Sequence, residues 1–164
     1  MHATLGVIFG TVVGGAQAWV LIKRKASAVK AWVPANIAGW VAGFLLEAWV
    51  LGRVSRPVLE AFGTGIGTTV VSQAIMGATS GLPVVAILAV IIVRSRPQFE
   101  WKAWALRSWT AFVVAGVVYA IFVRIPPIAG VGASGIGNAV LLALGWSMKG
   151  AIIGLATGKS FMER

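Results

Sequence analysis

The chain of 164 residues is 59% hydrophobic and only 11% charged, with a mean hydropathy of +0.91, which leaves too little polar surface to coat a water-soluble domain. It holds no Cys and no Asp, and its one His is His2, so thiolate chemistry, disulfides and Cys/His metal clusters are excluded, and neither a metal nor a cofactor is expected. The formal charge of +10 would point to nucleic acid in a soluble protein, but in a membrane protein it reflects basic loops facing anionic headgroups, so lipid is the expected partner and nucleic acid is not.

About 20 apolar residues cross the ~30 Å hydrocarbon layer as a helix. Five segments answer to that rule, giving an all-α integral membrane bundle of about five transmembrane helices and a single domain over 1–164. The first, 5–22, carries Gly6, Gly10 and Gly14 and ends in Lys23, Arg24 and Lys25. Ala16-Gln17-Ala18 has the look of a signal-peptidase site, but no basic residue precedes the apolar run and the basic cluster follows it, flanks that favour a retained span. The second, 32–51, carries Gly39 and Gly43 and stops before Arg53, leaving 54–62 as an outer loop on the membrane surface with Arg53, Arg56 and Glu60 on a solvated face. Gly63, Gly65 and Gly67 follow without the Lys-Ser or Lys-Thr pair that phosphate binding requires.

The third span, 66–93, contains Gly77, Gly81 and Pro83; it is one kinked helix or two segments broken near Gly81. The fourth, 109–123, is short, and Pro126-Pro127 marks the turn after it. The fifth, 135–157, carries Gly150 and Gly154, with Gly158 just beyond. Residues at i and i+4 share a helix face, so each glycine row makes a groove without side chains into which a second backbone can settle. Such grooves pack either the bundle itself or a second subunit.

Cytoplasmic loops retain Lys and Arg. Lys23, Arg24, Lys25 and Lys30, then Arg94, Arg96, Lys102 and Arg107, then Lys159 and Arg164 fall on one side; Arg53, Arg56 and Arg124 fall on the other. The expectation is an outside N-terminus and a cytoplasmic C-terminus in a bacterial cell membrane. Trp19, Trp32, Trp101, Trp104 and Trp109 flank the cytoplasmic boundary, Trp49 and Tyr119 lie towards the other, and Trp40 and Trp146 fall deeper as packing residues.

Gly6 and Gly77 are 71 residues apart, Gly77 and Gly150 are 73 apart, and the pair Trp32/Trp40 returns as Trp101/Trp109 at an offset of 69. These offsets define parallel two-helix units over 5–62 and 66–123 and a half unit over 135–160. The run from Gly10 through Gln17, Trp19 and Lys23-Arg24-Lys25 to Trp32, Asn36, Gly39, Trp40 and Gly43 resembles uncharacterised bacterial Trp/Gly-rich repeat membrane proteins. Their pattern is a glycine stripe, Gln-Trp, a basic turn, then Trp and Gly-Trp. The resemblance covers 6–44 well and is degenerate in the second half, where Ser108 replaces Gly39 and Phe112 replaces Gly43. It implies architecture and bacterial origin but no reaction.

Polar groups inside spans are functional candidates because burying them is costly. Gln17, Glu47, Gln73 and Lys149 are the four. Glu47 and Lys149 differ in depth by roughly 10 Å at 1.5 Å per residue, so an ion pair needs sliding or tilt, while Glu47 can hydrogen-bond Gln73 at similar depth. Alternatively Glu47, Gln73 and Lys149 line a polar path for an ion or small solute.

Gly130-Val-Gly132-Ala-Ser-Gly135 matches a dinucleotide-binding pattern but lacks a preceding strand. The same stretch holds Gly132-Ala-Ser134-Gly135, similar to the nucleophile motif of rhomboid intramembrane proteases, with only His2 as a possible base. No catalytic residue is assigned. The expected function is a non-catalytic structural or accessory membrane subunit that packs against itself or a partner complex; the alternative is a small transporter or channel component.

Overall fold

The computed structural model describes residues 2–23, 29–96, 98–124, 144–145 and 147–154, and every regular element among them is a helix. Four are long: α1 (His2–Lys23), α2 (Val29–Phe62), α3 (Ile66–Ser95) and α4 (Trp101–Phe122). A fifth helical stretch runs over 147–154. Among the described residues, three helices are long and apolar enough to cross a membrane, in α2, α3 and α4, and α1 contributes a shorter apolar helix, Ala3–Trp19.

Two boundaries differ clearly from the sequence expectation, the end of α2 and the start of α4. α2 does not stop before Arg53 but continues through 54–62, so Arg53, Arg56 and Glu60 lie on its last three turns rather than on a loop. Pro57 removes only one backbone donor, and no glycine interrupts the helix between Gly52 and Gly63. Gly63 ends it with φ of 65° and donates its N–H to the Leu59 carbonyl at 2.9 Å, the left-handed stop that glycine adopts without a Cβ clash.

α3 is one continuous helix through Gly81 and Pro83. α4 begins eight residues before the expected start, because 101–108 contains neither Gly nor Pro and carries the helix back through the basic segment. Lys102 and Arg107 therefore sit on its first two turns.

The helices pack in chain order, α1 on α2, α2 on α3 and α3 on α4. At each seam the contacting residue numbers rise on one helix as they fall on the other: Gly6 meets Val41 and Gly10 meets Ile37, Gly39 meets Val84 and Gly43 meets Ser80, Gly77 meets Phe112 and Gly116 meets Gln73. All three seams are antiparallel. Lys30, Arg94, Arg96 and Lys102 thus share one end of the bundle, and Arg53, Arg56 and Arg124 share the other, where Arg124 donates to Thr69 Oγ1 at 2.5 Å.

The core is aromatic at its centre. Trp40, Phe44, Trp104 and Phe112 are buried among Val84, Leu88 and Ile92, with Phe9 packed against Trp40 and Phe44 at centroid distances of 5.7 and 5.9 Å. Trp32 and Trp104, expected among the headgroups, are instead each only 2% exposed inside the bundle. Trp19 and Trp49 do face outwards, together with Ile8, Val12, Leu82, Leu106 and Ile121.

Candidate functional site

Seven of the ten glycines expected at helix contacts lie against a neighbouring helix. A Cβ on Gly6 would sit 2.6 Å from Val41 Cα, one on Gly14 2.8 Å from Asn36 Cβ, and one on Gly39 2.8 Å from Val84 Cα. At Gly10, Gly43 and Gly77 it would collide with the backbone of Ile37, Ser80 and Phe112, and at Gly81 with the Phe112 ring, whose Cγ is 2.5 Å away. These distances are below any that a real side chain tolerates, so the seams close only because hydrogen replaces a methyl group.

Gly150 and Gly154 do not share that geometry. A Cβ at either would meet no described atom within 4 Å; they border an open cavity of about 510 Å³ that also touches Ile8, Val12, Ala16 and Gln17 of α1. Gly158 lies outside the described residues. Gly116, not singled out in the sequence, comes against the Gln73 carbonyl. Its signal was available: Ser108, Phe112 and Gly116 step by four along one face of α4, and all three are buried.

Gln17 accepts a hydrogen bond from the indole Nε1 of Trp32 at 3.0 Å, tying α1 to α2 just below the Gly14 contact. Trp109 donates to the Ala78 carbonyl at 2.9 Å, a similar link between α4 and α3.

The other three polar candidates gather on the far side of the Trp40 ring. Glu47 of α2 is 7% exposed. Lys149 donates to Gln73 Oε1 at 3.1 Å and lies 4.3 Å from the Tyr119 ring centroid. Gln73 therefore serves Lys149 rather than Glu47. Glu47, Ser80 and Lys149 line a cavity of about 20 Å³ walled by Trp40, Gly77 and Phe112.

Such a cluster combines an amine, an amide and a carboxyl where little water can screen them. It holds three separate chain segments at one point, and its cavity is about the size of one or two water molecules. The only ion pair among the described residues is elsewhere: Arg56 with Glu60 at 2.7 Å, an exposed pair one turn apart on α2. The segment 130–135, with Ser134, and the side chains of His2 and Trp146 lie outside the described residues.

No family model matches the sequence, and comparison with curated proteins and with solved structures gave no match either.

Proposed function

We propose that this chain is a multi-pass integral membrane protein, non-catalytic, acting as a structural or accessory subunit in a bacterial cell membrane. One observation carries the reading. Successive helices are locked backbone to backbone at glycines while large apolar side chains, among them Val12, Trp19, Leu82 and Leu106, point away from the bundle. Close packing is the main attraction between helices where lipid surrounds them, and outward-facing apolar surface is stable there. The segregation of Lys30, Arg94, Arg96 and Lys102 to one end supports a cytoplasmic assignment for that end.

The glycine rows of α1, α2 and α3 pack the chain's own helices, and the outward apolar surface that includes Leu82 and Leu106 is where a second copy or a partner complex docks. Purification in a gentle detergent tests this: a stoichiometric partner or a defined homo-oligomer is expected, and a monodisperse monomer without partners overturns it.

A second reading has its own observation. Glu47, Gln73, Ser80 and Lys149 form a polar cluster inside an apolar bundle, the arrangement expected of a path for an ion or small solute. Proteoliposome flux that is lost in Glu47→Ala and Lys149→Ala supports it, and flux absent from the wild type, or unchanged by both substitutions, removes it.

A further inference from the structure

Asn36 and Trp40 lie one turn apart on α2, and Trp104 and Ser108 one turn apart on α4. All four line one small cavity of about 10 Å³ among the core residues. They are among its most deeply buried side chains, at 1%, 4%, 2% and 0% exposure respectively. Asn36 Oδ1, Trp40 Nε1 and Ser108 Oγ have no hydrogen-bond partner among the described residues. An unsatisfied polar atom at such depth is costly, and these three belong to residues that line one cavity.

The donor and acceptor pattern selects the occupant. Asn36 Nδ2 donates to the Trp32 carbonyl at 3.1 Å, which leaves Oδ1 as the unpaired end of the amide, since the flipped amide would set two carbonyl oxygens against each other. These three atoms therefore offer one N–H donor from Trp40, one pure acceptor from Asn36 and one hydroxyl from Ser108 that serves as either, and the Trp104 indole borders the same cavity. A halide would meet two donors but also the Asn36 oxygen, which repels it; a cation would meet the Trp40 N–H. We propose that one water molecule resides here, accepting from Trp40 Nε1, donating to Asn36 Oδ1 and bonding Ser108 Oγ. The volume admits about one water, and three bonds are the usual number for a buried one. The water links α2 to α4, which are not neighbours in the chain-order packing but also touch at the Trp40–Phe112 ring contact, 5.4 Å between centroids.

The test uses the full chain in lipid nanodiscs with indole nitrogens labelled. The Trp40 Hε1 resonance is assigned by its loss in Trp40→Phe, and its cross peaks to water are recorded with chloride and then with gluconate as the anion. The expected result is a cross peak to a long-lived water in the wild type, insensitive to the anion and abolished in Ser108→Val, whose methyl groups fill the cavity while the other indole resonances persist. No water cross peak in the wild type overturns the proposal, as does a Trp40 shift on exchanging chloride, which assigns an anion instead, or a cross peak that survives Ser108→Val. Should Ser108→Val fail to fold, the two wild-type spectra alone decide.

Discussion

Lys149 donates to Gln73 Oε1 at 3.1 Å, joining residues 76 positions apart and fastening the helical stretch 147–154 to α3. The bond lies beside Tyr119, whose ring is 4.3 Å from the ammonium, so three elements converge on one cation. Interhelical side-chain bonds in membranes contribute about 0.6–1.7 kcal/mol each, because polar groups also find partners in the unfolded chain. A cycle of Lys149→Met, Gln73→Leu and the double variant should accordingly give a coupling of about 1 kcal/mol. Intrinsic tryptophan fluorescence followed against temperature in detergent measures it. Strict additivity would place the bond outside the energetics of the fold.

The α1–α2 seam makes a sharper demand. Gly10 lies against the Ile37 backbone, which has no flexible end to move aside, whereas a Cβ on Gly15 meets nothing within 4 Å. Gly10→Leu is expected to lower stability by about 3 kcal/mol or more through overpacking. Gly15→Leu, five residues further along the same helix, should leave the melting midpoint unchanged or slightly raised, since leucine is the better helix former. The same thermal scan reads both, and equal effects at the two positions would contradict the seam.

These contacts also mark what the sequence made legible. The four-residue spacing of Gly6, Gly10 and Gly14 defines one helix face without any structure, because it follows from the 3.6-residue turn. The neighbour that fills that face does not follow from spacing, and Gly150 and Gly154 show that the same pattern can border a cavity. Charge does not mark the helix ends, since α2 and α4 run through Arg53 and Lys102. Arg53 and Lys102 are good helix formers, and it was Gly63, with its positive φ, that ended α2. Residue type alone assigns Trp32 and Trp104 to the headgroups, yet each is buried, and the Trp32 indole donates inside the bundle to Gln17, fifteen residues away. The polar cluster was legible as a set of residues but not as pairs, because depth along a helix says nothing about which way a side chain turns.

Tryptophan exposure offers a direct check on the lipid-facing surface. Trp19 and Trp49 are 61% and 57% exposed, against 4% for Trp40 and 2% for Trp104. In nanodiscs made with brominated lipid, which quenches indoles in contact with it, Trp19→Phe and Trp49→Phe should each reduce the quenched fraction of the fluorescence. Trp40→Phe and Trp104→Phe should leave the quenched signal as it was and remove unquenched signal instead. The reverse assignment would turn the bundle inside out.

Phe112 supplies the most specific packing test, because the departure from glycine at this position is what fills the groove opposite. Its ring lies in the notch at Gly81, with Cγ 2.5 Å and Cβ 2.7 Å from where a Cβ would stand, and it is held from the other side by Trp40 at 5.4 Å. Trapped between the two, the ring cannot retreat from an added methyl, so Gly81→Ala should destabilise by about 1–3 kcal/mol. Phe112→Ala empties the notch and should lower stability by about 3–5 kcal/mol, through lost burial and the cavity left behind. The two changes act on the same space in opposite senses. Once the ring is gone, the methyl at position 81 meets only the remaining Cβ, so the double variant should be less destabilised than the two single effects added together. Thermal scans of the three variants measure the difference, and simple additivity would show that Phe112 and Gly81 do not share the notch.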